Sequence, residues 1–137
     1  MIAEWTLSYV EAKGIIDTIT AEVAKRGKAA VIVVADAHGE LLALARMDGA
    51  PLSSIAIATN KAWSAARERK PSKDIGTAAR DRDKGFDIGY FGDPKFTGWG
   101  GGVPVWKDGK VAGAIAVSGL PQDEDIELAT AAAQRLA

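Results

Sequence analysis

The chain has 137 residues with 17 basic and 18 acidic side chains, and its formal net charge is -1 at pH 7. This balance does not favour electrostatic binding to nucleic acid, and no apolar run approaches the ~18 residues of a membrane span. The chain contains no cysteine, which excludes disulfides, thiolate metal sites and cysteine nucleophiles. The N-terminal sequence lacks the basic and apolar regions of a signal peptide. We therefore expect one cytoplasmic domain over residues 1–137, without nucleic-acid or membrane partners.

The N-terminal third predicts a helix followed by a hairpin. Ser8 and Glu11 have the spacing of a capping box, and apolar residues three to four apart predict a helix that runs to about Arg26. A β-branched run then predicts a buried strand, and a turn leads into a second apolar strand. The strands of this hairpin are expected at residues 29–36 and 41–47.

The middle of the chain predicts a second helix and a less regular region. Ser53 or Ser54 is expected to cap this helix, which ends before Pro71. Residues 72–84 predict a short helix, and residues 85–102 are rich in glycine and aromatic residues. This last stretch favours an irregular segment.

The C-terminal third predicts a second hairpin and a final helix. Strands at 103–106 and 111–118 flank an Asp-Gly turn, and a helix is expected from Pro121 to Ala137. Hairpins rather than crossover connections indicate an α+β fold. We expect a central antiparallel sheet of about five strands flanked by helices.

The glycine segment Gly100, Gly101 and Gly102 is the most unusual feature of the sequence. It matches neither the Rossmann nor the Walker A pattern. Three glycines allow positive φ and leave N–H groups unobstructed for an anionic ligand, but they also suit a tight entry into a strand. Both interpretations remain open.

Several ionisable residues lie within apolar sequence and need either solvent or a partner. Arg46 and Asp48 follow the first hairpin, and Lys61 lies among alanines in the second helix. An ion pair of Asp48 with Arg46 or Lys61 is the structural interpretation, and an acid-base pair is the functional one. His38 is the single histidine, so we expect no multi-histidine metal site, and its turn position favours a solvated residue.

Four segments in this order resemble the GlcG/HbpS family, also called the haem-degrading-domain or PduO-C-terminal-like family. The resemblance covers nearly the whole chain. The segments are VVADAHGELLALARMDGAP at 33–51, the pattern of Ile57, Ala58, Lys61, Ala62 and Ala65, the run from Gly100 to Pro104, and DGKVAGAIAVSGLPQDEDIELA at 108–129.

The resemblance implies a profilin-like or roadblock-like α+β domain that self-associates as a dimer or a dimer-based octamer. It also implies a small-molecule ligand, with haem or another planar carboxylated molecule as the leading candidate. For a haem iron, His38 is the candidate ligand, with the oxygen atoms of Thr59 or Thr97 as weaker ones.

We expect the ligand pocket between Gly100–Gly102 and the helix that carries Lys61. In this arrangement Lys61 and Arg46 bind an anionic group, the glycine N–H groups bind the same charge, and Trp99 and Phe96 contact the flat face of the ligand. Two alternatives remain. In the first, the chain would be an enzyme that acts on a small organic acid, with Asp48 and Lys61 as candidate catalytic residues. In the second, it would be a structural assembly partner.

Overall fold

The computed structural model describes residues 1–136, which form four α-helices, four β-strands and a short 3-10 helix at Ile88–Phe91. The predicted capping box opens the first helix, where Ser8 Oγ accepts a hydrogen bond from the Glu11 N–H and the Glu11 carboxylate accepts one from the Ser8 N–H. Within the described residues, no helix is long and apolar enough to cross a membrane. The helices are α1 (Tyr9–Lys25), α2 (Ser54–Glu68), α3 (Ser72–Arg80) and α4 (Gln122–Leu136), and the strands are β1 (Val31–Asp36), β2 (Leu41–Arg46), β3 (Gly102–Lys107) and β4 (Lys110–Ser118).

The strands form one antiparallel sheet in the order β2-β1-β4-β3. This arrangement confirms the predicted α+β class. Asp108 and Gly109 join β3 to β4 with φ of 50° and 76°, and a two-residue hairpin turn of type I′ needs positive φ at both positions. The predicted hairpins are therefore present.

The expectation of about five strands was high by one, since the described residues contain four. The region that sequence left open, between α3 and β3, makes aromatic contacts instead of a strand ladder. Phe96 packs edge-on against Trp63 of α2 with 4.7 Å between ring centroids, and Phe91 and Phe86 continue the cluster. The segment is thus held on α2 by side chains, and its backbone stays outside the sheet.

Helices cover both faces of the sheet. Branched residues of the sheet pack with α1 and α4 on one face, whereas α2 lies on a face of smaller residues. Small residues on both sides let the backbone of α2 approach β4 closely. Alanines form most of this contact: Ala58, Ala62 and Ala65 of α2, and Ala114 and Ala116 of β4.

The start of α2 differs from the capping prediction. Ser53 occupies the N-cap position with helical φ and ψ of -59° and -26°, and its side chain makes no capping hydrogen bond. A capping side chain needs an extended backbone at this position. Ser54 instead accepts a hydrogen bond from the Ser118 hydroxyl at 3.1 Å, which joins the start of α2 to the end of β4.

Candidate functional site

Lys61 is a buried cation on the face of α2 that packs against β4. Its side chain is 3% exposed. The ammonium Nζ donates to the Val117 carbonyl at 3.0 Å and to Asp125 Oδ2 at 3.4 Å. An ammonium has three N–H donors, and within residues 1–136 these two acceptors are its hydrogen-bond partners. One donor is therefore left for another group.

Asp125 is the counter-charge of Lys61 and lies in the first turn of α4. Its side chain is 4% exposed, and Oδ1 accepts a hydrogen bond from the Leu120 N–H at 3.3 Å. Burial raises the pKa of Asp125 to about 6, against the opposing effect of the Lys61 charge. Burial likewise lowers the pKa of Lys61, while Asp125 acts in the opposite direction. Both shifts have the same cause, because a buried site disfavours charge.

The prediction that Lys61 pairs with Asp48 was therefore wrong, because the acidic partner of Lys61 is Asp125. Asp48 is exposed at the end of the first hairpin, and within the part of the chain that the structure describes it makes no ion pair with Lys61 or Arg46. Asp125 was not among the predicted site residues, because acidic side chains such as Asp123, Glu124 and Asp125 are common at the positive end of a helix dipole. The helical spacing was the available signal, since Asp125 shares its buried face with Leu128, Ala129 and Ala132.

Lys61 and Asp125 line an open cleft of about 340 Å³. The starts of two long helices border it, with the N-cap residue Ser53 and the first residue Ser54 at α2, and Gln122 at α4. The N-terminal end of a helix carries a partial positive charge and favours anions. Trp99, which is 61% exposed, forms part of the rim. The cleft thus combines one buried ammonium, two positive helix ends and an accessible aromatic ring.

The glycine segment makes room for Lys61. A Cβ atom on Gly101 would lie 2.8 Å from Lys61 Nζ, and one on Gly102 would lie 2.5 Å from the Lys61 carbonyl oxygen. The Gly100 N–H already donates to Gln122 Oε1, and the Gly102 N–H donates to Ser72 Oγ. These two amides cannot serve an anionic ligand without losing those bonds. The segment therefore contributes mainly space and close packing.

The structure brings together Lys61, Trp99 and Gly100 from the predicted site, but it places Phe96 and Arg46 elsewhere. Phe96 is held in the aromatic cluster on α2 and does not line the cleft. Arg46 is an exposed residue at the end of edge strand β2, and it also lies outside the lining of the cleft. Neither residue borders the cleft, so their predicted contacts with a ligand beside Lys61 are wrong.

His38 lies in the turn between β1 and β2, as predicted, and borders a different cavity of about 740 Å³. Its Nε2 is 2.6 Å from Glu4 Oε1. The cationic side chains of Arg67, Arg69 and Lys110 line the same cavity, together with Trp106. The hydroxyls of Thr59 and Thr97 donate to backbone carbonyls instead, and neither residue borders this cavity.

A family model described as "Haem degrading protein HbpS-like" matches residues 7–134. The chain belongs to the HbpS-like family. Protein GlcG of Escherichia coli strain K12 is 37% identical over 112 residues, which are 82% of this chain and 81% of GlcG. The predicted resemblance to the GlcG/HbpS family is confirmed.

Solved structures of similar proteins share the fold of this HbpS-like protein. The crystal structure of Klebsiella pneumoniae protein ORFY matches with a TM-score of 0.88 and 29% identity, over 98% of this chain and 92% of that one. The crystal structure of a PduOC:heme complex matches with a TM-score of 0.82 and 25% identity, over 94% of each chain. The helix and sheet arrangement is therefore that of these two solved structures, and one of them is a complex with haem.

Proposed function

We propose that this protein binds a small, planar molecule that carries a carboxylate, and that the carboxylate lies against Lys61 in the cleft. The observation that carries the proposal is the spare N–H donor of a lysine that is 3% exposed and borders the cleft. A buried donor without an acceptor is costly, and a bound carboxylate supplies one. The partial charges at the starts of α2 and α4 attract the same group.

The rest of the cleft supports a planar ligand. The exposed ring of Trp99 offers a flat apolar surface beside the charged end of the cleft. A volume of about 340 Å³ is at the lower end of the range for small-molecule sites. A ligand with one carboxylate and one ring system matches these features.

Benzoate is a suitable probe, with uncharged benzamide as its matched control. We expect benzoate to change the fluorescence of Trp99 and to bind at least tenfold more tightly than benzamide, because a charge-assisted hydrogen bond contributes about 1.5 to 3 kcal/mol. The signal should disappear in Trp99→Phe, and calorimetry should still detect benzoate in that variant. Equal affinities of benzoate and benzamide would contradict the role of Lys61.

The loss of both charges gives a second control. In the double variant Lys61→Met with Asp125→Asn, neither member of the pair remains charged, so the protein is expected to fold and to lose its preference for benzoate over benzamide. Circular dichroism checks the fold. If the folded double variant still prefers benzoate over benzamide, the binding site must lie on another part of the surface.

Haem is a second candidate ligand, and the cavity beside His38 fits it better than the Lys61 cleft does. Among the described residues that line the Lys61 cleft there is neither histidine nor methionine, so these residues offer no common axial ligand for iron. The His38 cavity contains an imidazole, three cationic side chains for propionates and the flat ring of Trp106. When the neutral imidazole donates from Nε2 to the Glu4 carboxylate, 2.6 Å away, its Nδ1 keeps a lone pair that could bind a metal.

Haem titration followed by its Soret band tests this second site. We expect saturable binding that His38→Ala weakens at least tenfold, because the axial ligand is removed. Asp48→Ala, at an exposed position outside the cavity, is the matched control and should leave the titration unchanged. An identical titration in His38→Ala would rule out this cavity as the haem site.

Self-association is the remaining part of the proposed function. Edge strand β2 exposes the apolar side chains of Leu41 and Leu44, and an edge strand can pair with the same strand of a second copy. Native mass spectrometry of the purified protein, before and after haem is added, reports both the assembly and the bound mass. We expect dimers or higher multiples of two, and a monomer at all concentrations would contradict the proposal.

A further inference from the structure

The charges around the Lys61 cleft are already balanced before an anion enters. Lys61 and Asp125 form a buried pair at 3.4 Å, and their side chains are 3% and 4% exposed. A ligand carboxylate would add a second negative charge next to the same single cation. Two carboxylates that share one buried site cannot both stay ionised without a large cost. Binding therefore requires that one negative charge be removed.

We propose that an entering carboxylate replaces Asp125 as the counter-charge of Lys61, and that Asp125 takes up one proton from solvent as the ligand binds. This inference rests on the proposed function of the cleft and adds its regulation by pH. The net charge of the buried site stays constant, because one proton enters with each anion. In the free protein Lys61 is paired with Asp125, and in the complex it is paired with the carboxylate of the ligand.

The hydrogen bonds of Asp125 indicate where the proton goes. Oδ1 accepts from the Leu120 N–H, and Oδ2 faces Lys61. When the ligand takes over Lys61, Oδ2 loses its charged partner and becomes the site of protonation. The new hydroxyl group is then a donor beside the bound anion, so the protonated form contributes a hydrogen bond of its own.

Few other charged groups act on Asp125. Lys61 faces it from α2, and Glu124 precedes it on α4 and also raises its pKa, although Glu124 is itself paired with Lys28. In the part of the chain that the structure describes, the segment 99–101 and the end of β4 bring Trp99, glycines, Val117 and Ser118 to the site, and none of these titrates near neutral pH. Asp125 is thus the group whose protonation an incoming anion controls.

The expected pH dependence follows from the sign of this coupling. The pKa of Asp125 in the free protein is raised to about 6 by burial, and a bound anion raises it further. Below about pH 6 the carboxyl group is already protonated, so affinity should change little with pH. Above it, each unit of pH should weaken binding about tenfold, because one proton must be taken up.

The experiment is a benzoate titration of the full-length protein from pH 5.5 to 8 in a cationic buffer, which cannot compete for an anion site. Benzoate stays ionised over this range. We expect the dissociation constant to rise about tenfold from pH 7 to pH 8 and to level off below pH 6. In Asp125→Asn, whose side chain is always neutral, affinity should be nearly independent of pH and at pH 8 tighter than in the wild type.

Asp123→Asn is the matched control, because Asp123 is an exposed carboxylate in the same turn of α4. This variant should keep the wild-type pH profile. Persistence of the full pH dependence in Asp125→Asn would assign the proton to Lys61 or another group and overturn the inference.

The outcomes also separate this inference from the proposed function. If benzoate binds more tightly than benzamide and the affinity for benzoate does not change with pH, the carboxylate site is supported and proton uptake is disproved. If benzoate has no preference over benzamide at any pH, the proposed function fails and the coupling fails with it.

Discussion

Replacing Lys61 with methionine should lower the free energy of unfolding by about 3 kcal/mol at pH 7. Methionine preserves the length and apolar stem of the side chain, so the change removes little packing. It leaves the Asp125 carboxylate buried without its cation and removes the donor to the Val117 carbonyl. Urea unfolding followed by circular dichroism measures the loss.

The same loss should be smaller at pH 5. Lys61 holds the pKa of Asp125 down, so its removal moves that pKa above about 6. A carboxyl group with a raised pKa in the folded state is stabilising when protonated, and that contribution falls as pH rises toward the folded-state value. At pH 5 the orphaned Asp125 is neutral in the folded state, so the loss shrinks to the cost of protonating a carboxyl group whose ordinary pKa is 3.8.

A double-variant cycle tests whether the pair itself causes the effect. Lys61→Met combined with Asp125→Asn should regain most of the lost stability, because no charge is then buried alone. Additive losses in the double variant would show that Lys61 contributes through packing. A single variant Lys61→Met within about 0.5 kcal/mol of the wild type would contradict the importance of the pair altogether.

The sequence predicts most of the fold because the signals that define it are local. The capping box of Ser8 and Glu11, the apolar strand runs and the Asp108-Gly109 turn each act within a few residues. The irregular segment was harder to predict. Phe96 and its neighbours form a side-chain cluster because Phe96 packs on Trp63 of α2. Trp63 is distant in sequence from Phe96, so the local pattern does not reveal this contact.

The candidate site was only half predictable from the sequence. Lys61 stood out as a charge among alanines, but its partner lies 64 residues away on another helix. That contact exists because α2 approaches β4 closely and the start of α4 follows β4 directly. The local pattern of residues does not show that the approach of α2 to β4 brings Lys61 next to the start of α4. Arg46 and Asp48 attracted attention for the same reason as Lys61, yet the end of a hairpin gives them solvent instead of a partner.

The glycine at position 101 should be among the least replaceable residues in the chain. Gly101 has φ of 126°, a conformation that side chains rarely adopt. A Cβ atom there would lie 2.6 Å from the Val117 carbonyl oxygen and 2.8 Å from Lys61 Nζ. Since one neighbour is backbone of the central strand β4, the clash cannot be relieved by a side-chain rotation. Gly101→Ala should cost about 3 kcal/mol of unfolding free energy and abolish the preference for benzoate over benzamide.

Two other glycines separate the causes of this effect. Gly109→Ala imposes a side chain at φ of 76° in open space, so it should cost only the backbone strain of about 1 kcal/mol. Gly14→Ala lies inside α1 with open space around it and should gain about 0.5 to 1 kcal/mol. If Gly101→Ala costs no more than Gly109→Ala, the close approach of this segment to Lys61 is not what positions the ammonium. A much larger cost, together with the loss of benzoate selectivity, would show that the glycine segment serves the site by letting strand and lysine meet.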